Sequence, residues 1–243
     1  MSAILLCAPA QAIAFNRTDI DVIHYDLDYK LDLSHSGWEV GENRLSGSVT
    51  IRIRNLGDKD LLSLPIVAGR LLRVTRAGDA NGHSLAFTQR LQEFEDYAFY
   101  QANIIEVLLR QPLAIGAEAL VRLELNGKII GYPEAGMLYT RETMDPAFTI
   151  IRSETLAYPA IAAPNWASIR KSWQDKFDWS TSVEVPGSLV VANGAPGKVV
   201  QKGAVTVYQY ESIRPNSFFN LPIGPYKVKQ ISGNRIFYLP GSE

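Results

Sequence analysis

From residue 21 to 33 the chain reads DVIHYDLDYKLDL, with Ile23, Tyr25, Leu27, Tyr29, Leu31 and Leu33 on every second position. His24, Asp26, Asp28, Lys30 and Asp32 fill the places between them. Side chains alternate faces along a β-strand, so this spacing predicts a long strand with one face on a core and one in water. The alternation returns at 46–55, where Val49, Ile51 and Ile53 interleave with Thr50, Arg52 and Arg54, and again at Phe177, Trp179, Thr181, Val183 and Val185. Shorter strands are expected at 61–65, 71–76, 85–89, 103–109, 119–125, 188–192, 205–210, 218–221, 226–230 and 235–239. Turn residues such as Gly78-Asp79, Asn81-Gly82 and Asn193-Gly194 separate them. Many short strands with such turns are the signature of an all-β fold. The expected architecture is a multi-stranded antiparallel β-sandwich, saddle-like, with little helix.

The middle of the chain, 127–176, breaks this rhythm. It carries Pro133, Pro146, Pro159 and Pro164 together with Trp166 and Trp173, without sustained alternation. A single helical turn is expected at 167–173, because Trp166, Ile169 or Arg170, and Trp173 would share a face. Long irregular segments inside a compact domain are usually functional or interfacial.

Composition narrows the function classes. The 243 residues carry 24 basic and 25 acidic side chains, so no global field attracts nucleic acid. The hydrophobic share of 47% is that of a globular protein. The single cysteine, Cys7, excludes an internal disulfide and a Cys-rich zinc site. Residues 1–14, MSAILLCAPAQAIA, are apolar and uncharged, and Ala10-Gln11-Ala12 matches an A-x-A cleavage site. Residues 1–15 are therefore read as a signal-peptide remnant or disordered leader, and export to the periplasm or the extracellular space is expected. No other stretch reaches the roughly 18 apolar residues of a membrane helix.

Four groups of residues, in order, resemble the N-terminal domain of the aminopeptidase N family of zinc metallopeptidases. The first is HYDLDYKLDL at 24–33 with the strand 47–54 after it, like that family's Gly-x-Val-x-Ile strand. Next are Gln111-Pro112-Leu113, Gly116, the strand 121–125 and Gly127, followed by Gly136-Met137-Leu138-Tyr139. The last comprises Phe177-Asp178, Val185-Pro186, Ala192-Asn193-Gly194, Arg214-Pro215 through Phe219, and Ile223-Gly224-Pro225-Tyr226. One departure is clear: residues 148–159 read FTIIRSETLAYP, where the family carries Thr-Gln-x-Glu and a Phe-Pro-Cys-x-Asp-x-Pro loop.

The resemblance implies a β domain over 16–233, with 234–243 as the start of a catalytic domain that the chain lacks. No His-Glu-x-x-His helix is present, and His24, His35 and His83 are too scattered to supply three zinc ligands. The expectation is thus no catalytic residue and no metal ligand here, with zinc held in the missing domain. The implied role is to shape the substrate cleft and hold the peptide N-terminus, with the chain's own C-terminal catalytic domain and the peptide substrate as partners. Glu154 is the substrate-binding candidate, since in that family a Gln or Glu of this loop holds the substrate's α-amino group. Met137, Leu138, Leu156, Tyr158 and Trp166 are then expected to form an exposed apolar patch on the isolated chain. The alternative is a freestanding β-sandwich binding module for glycan or protein, using Trp166, Trp173 and Trp179 as a stacking platform. Asp26, Asp28 and Asp32, which share a face with Lys30, are read as a solvated strand face.

Overall fold

The computed structural model describes residues 19–130, 143–232 and 234–241. The leader, Gly136 and Met137-Leu138-Tyr139 lie outside the described residues. Two sheets carry the fold. The larger has seven strands in the order β12-β13-β10-β1-β2-β7-β4. These are β1 (Ile20–Asp32), β2 (Arg44–Asn55), β4 (Leu72–Asp79), β7 (Glu118–Gly127), β10 (Asp178–Pro186), β12 (Gly197–Lys202) and β13 (Val205–Glu211). The second has the order β5-β6-β3-β9, with β3 (Leu61–Gly69), β5 (Phe87–Phe94), β6 (Tyr97–Leu113) and β9 (Ala160–Ile161). A small sheet joins β8 (Thr149–Ile151), β11 (Val190–Val191) and β14 (Leu221–Gly224), and β15 (Lys227–Ile231) pairs only with β16 (Asn234–Tyr238).

The alternation read along the chain sets the core. Tyr25, Leu27, Tyr29 and Leu31 of β1 are buried while Asp26, Asp28, Lys30 and Asp32 are exposed. They pack with Val49, Ile51 and Ile53 of β2, Val183 and Val185 of β10, and Leu64, Ile66, Ile105 and Val107 of the facing sheet. Ile23 departs from the expected phase. The β1–β2 register shifts between Val22 and His24, so Val22 is buried and Ile23 is left half-exposed. An extra residue at a bulge reverses every side chain on one side of it. The central pair β1–β10 runs parallel, from His24 opposite Asp178 to Lys30 opposite Glu184, whereas the other pairs are antiparallel. A parallel neighbour cannot be reached by a hairpin and needs a long crossover.

One strand is much longer than expected and another was not expected at all. β6 spans 17 residues and turns tightly into β5, with Phe94 opposite Tyr97. The preceding β5 carries Gln, Glu and Arg on both phases, which hides a period of two. β12 is an edge strand with every position exposed, so its side chains had no face to pattern.

Candidate functional site

The irregular middle lies against the core. From β8 the chain passes through Arg152 into a 3₁₀ turn, Ser153–Thr155, and then Leu156 in the left-handed region at φ 50°. A non-glycine residue there is uncommon and must be held by its surroundings. The surroundings do hold it. Leu156 N–H donates to the Ser153 carbonyl, Gly69 N–H donates to the Leu156 carbonyl, and Tyr29 Oη donates to the Ala157 carbonyl at 3.0 Å. Leu156 is 1% exposed and Tyr158 3% exposed, which corrects the expectation that they belong to a bare apolar patch. Both are drawn inward because β9 pairs with β3 immediately afterwards.

Glu154 stands on this turn, half-buried. Arg152 meets it side-on, with Nε donating to Oε2 and Nη2 donating to Oε1, both at 2.8 Å. The Ser153 hydroxyl adds a third bond to Oε2 at 3.0 Å. Burial pushes the Glu154 carboxyl upward, but the Arg152 bonds outweigh it and the net shift is downward. Glu154 is therefore a charged carboxylate, already paired on both oxygens. A carboxylate has about four acceptor positions, so an ammonium group could still be received beside the guanidinium.

Beneath the turn lies a run of rings. Tyr158 stacks on Phe219 at 4.4 Å and meets Tyr25 edge-on at 5.5 Å; Tyr25 meets Phe177 at 4.7 Å. Trp179, which only the binding-module alternative groups with Trp166 and Trp173, packs in this core against Phe219 at 4.8 Å. Trp166 and Trp173 do meet, at 5.4 Å, across a short helix α1 (Trp166–Ser172) that falls where one helical turn was expected. Its first N–H groups are capped by Asn165, which accepts from Ser168 N–H, and by Asp96, whose two oxygens accept from Trp166 and Ala167 N–H. Tyr97 stacks on Trp166 at 5.0 Å, in a place a stacking sugar ring would need.

The histidines are dispersed. His24 Nε2 lies 3.1 Å from Ser180 Oγ, and Ser180 Oγ donates to Asp26 Oδ1 at 2.7 Å. This trio has the residue types of a hydrolytic triad in the wrong order. The serine's one proton goes to the carboxylate, so His24 must donate to Ser180 and cannot take its proton. His83 Nδ1 pairs with Asp79 at 3.0 Å beside an open groove, and His35 lies 3.9 Å from Glu39. Among the described residues no three His, Cys, Asp or Glu side chains converge to hold a metal ion. No described helix is long and apolar enough to cross a membrane.

Asp175 is a further group that the sequence did not mark. Its Oδ2 accepts from Val22 N–H at 2.8 Å, beside the β1 bulge and beyond the reach of β10, so a side chain replaces the missing ladder partner. Burial, then the neighbouring Asp21 carboxylate, raise its pKa above the ordinary 3.8. A raised carboxyl penalises the fold while ionised: the penalty is complete above the folded-state pKa, fades as pH falls, and is gone below about 3.8. Asp175→Asn keeps an acceptor for Val22. It is expected to stabilise the chain at pH 7, the gain vanishing toward pH 3, in thermal melts across that range. A gain that persisted at pH 3 would refute this.

No protein-family profile and no curated protein sequence matches the chain. Solved structures do match its fold, M1 zinc metallopeptidases among them. The M1 zinc metallopeptidase of Deinococcus radiodurans is 19% identical with a TM-score of 0.59, over 93% of this chain and 50% of its own. A mutant form bound to a Tyr-Ser-Ala substrate aligns with a TM-score of 0.61 at 17% identity, over 93% of this chain and 50% of its own. Yeast LTA4 hydrolase in complex with bestatin aligns at 0.52 and 14% identity, over 87% of this chain and 30% of its own. The chain thus has the β fold that M1 zinc metallopeptidases carry, and it spans about half the length of the first of these structures.

Proposed function

We propose that the chain is the N-terminal β domain of a zinc-dependent aminopeptidase of the M1 type, which shapes one side of the substrate cleft and holds the peptide N-terminus. The observation that carries this reading is the fold match over nearly the whole of this chain and only half of theirs. Zinc and the activated water would belong to the companion catalytic domain, and the peptide would be bound between the two. Export, suggested by Ala10-Gln11-Ala12, is part of the same proposal.

The β15–β16 hairpin supports it. Every position of β15 is exposed, Val228 and Ile231 among them, Ile236 of β16 is exposed too, and the Arg235 guanidinium donates to the Asn193 and Ala195 carbonyls of the main body. A lone two-stranded ribbon is marginal in water and gains from a third strand. The passage into the companion domain would fall at this hairpin, whose two strands lie on either side of residue 233.

The test uses the complete polypeptide, this chain together with its companion domain. Cleavage of an aminoacyl anilide is expected to need both parts and to be lost on zinc chelation. Glu154→Ala is expected to lower kcat/KM about 30-fold, roughly 2 kcal/mol for removing one partner of a desolvated charge pair. An N-acetylated peptide, lacking the ammonium, should bind wild type and variant alike. Unchanged kcat/KM in the variant would remove Glu154 from the site. A complete polypeptide without aminopeptidase activity would overturn the domain reading itself.

A further inference from the structure

Glu154 has a guanidinium two residues before it, where the chain enters the 3₁₀ turn. Arg152 grips the carboxylate through Nε on Oε2 and Nη2 on Oε1, both at 2.8 Å, and the Ser153 hydroxyl adds a bond to Oε2. A two-pronged grip fixes the plane of a carboxylate as well as its charge, which the single ammonium of a lysine does not. The grip rests on a held backbone. The Arg152 carbonyl accepts from Ala157 N–H and from the Thr155 hydroxyl, both at 3.2 Å, so its main chain is fixed independently of its side chain. The Glu154 side chain still keeps 28% of its surface open, against 19% for Arg152. An incoming cation can therefore meet the carboxylate on its open side.

We infer that Arg152 is a positioning residue for the ammonium group of a peptide, acting through Glu154, whose plane and charge it fixes. The inference rests on the reading of Glu154 as the ammonium acceptor. Only an ionised carboxylate pairs with an ammonium, and burial of Glu154 by itself favours the neutral acid. The Arg152 bonds reverse that balance, so the acceptor is lost only as pH falls through a titration lying below the ordinary 4.5. Without the guanidinium it would be lost at a higher pH. Among the described residues around the turn, the other ionisable groups do not take this part. Tyr25 and Tyr29 of β1 and Tyr158 before β9 have hydroxyls pushed up by burial, and they stay uncharged. Arg70, next to Gly69 of β3, donates to Gln101 of β6. Asp175 before β10 shares a small cavity with Ser153 and Tyr158, and burial raises its carboxyl.

The first test needs only the chain itself, with its glutamates carbon-labelled for NMR. Glu154 is expected to titrate below 4.5 in the wild type, at a higher pH in Arg152→Gln, and between the two in Arg152→Lys, which keeps a charge without the fork. The same order should hold in an Asp175→Asn background, where that neighbour no longer titrates. The second test uses the complete polypeptide and an aminoacyl anilide. The ratio of wild-type to Arg152→Gln kcat/KM is expected to grow about threefold as pH falls from about 7 to about 5. The inhibition constant of an N-acetylated peptide, which has no ammonium, should keep a constant ratio over that range. A Glu154 titration unmoved by Arg152→Gln would overturn the inference. So would a constant kcat/KM ratio in an enzyme that Glu154→Ala impairs. An enzyme indifferent to Glu154→Ala would instead remove the reading beneath it, and the inference as well.

Discussion

Gly47→Ala is expected to cost about 4 kcal/mol or more, enough to leave little folded chain at 37 °C. Gly47 sits in β2 opposite Tyr29, at φ +149°, a backbone region that only glycine occupies readily. A Cβ there would stand 2.1 Å from the Asp28 carbonyl oxygen and 2.9 Å from the Tyr29 Cα. Both are backbone atoms of the central strand, so no side chain can turn aside to make room. Gly116→Ala is the matched control. It shares the left-handed backbone, at φ +77°, but a Cβ there meets nothing within 4 Å, and the cost should be about 1–2 kcal/mol. Urea unfolding of the two variants separates the collision from the backbone preference. Equal losses would show that the β1–β2 contact is looser than the structure has it.

The second large effect concerns the core rings. Trp179→Ala removes a side chain that is 4% exposed and packs on Phe219, which in turn stacks on Tyr158 beneath the Glu154 turn. The expected loss is about 4 kcal/mol, the usual cost of deleting a buried aromatic. Trp179→Phe should cost much less, because a phenyl ring keeps most of the buried aromatic packing against Phe219. Trp166→Ala, at the partly exposed outer cluster with Tyr97 at 42% exposure, should cost only about 1–2 kcal/mol. A greater loss from Trp166 than from Trp179 would reverse the division between core and outer rings.

The same three tryptophans show how far a sequence can be read. Their neighbourhood offered a platform as the alternative to core packing, and Trp179 shares the buried phase of its strand with Thr181 and Val183. Strand phase therefore overruled closeness in sequence, and that phase was already legible. The Glu154 turn is different. Nothing local says that Leu156 adopts a left-handed backbone or that Tyr158 is buried, because both follow from Gly69, Tyr29 and β3, which are remote in the chain. Glu154 itself came from a family likeness, while its side-on pairing with Arg152 emerges only when the turn is folded. Asp175 carried no signal at all, since its work is to replace a ladder partner at a bulge.

What the sequence determined by itself is the set of elements whose cause is local. A period of two in β1, β2 and β10, turn residues between strands, and too few periodic apolar positions for a long helix suffice to make this an all-β chain. Only the tertiary structure decided which strands meet. β1 accepts β10 as a parallel neighbour, with Asp26 and Ser180 joined across 154 positions of sequence. The bulge beside Ile23, the close approach at Gly47 and the burial of Tyr158 come from the same source. Alternation tells a strand which face to hide but not which edge to offer, and that choice rests on packing between segments far apart in the chain.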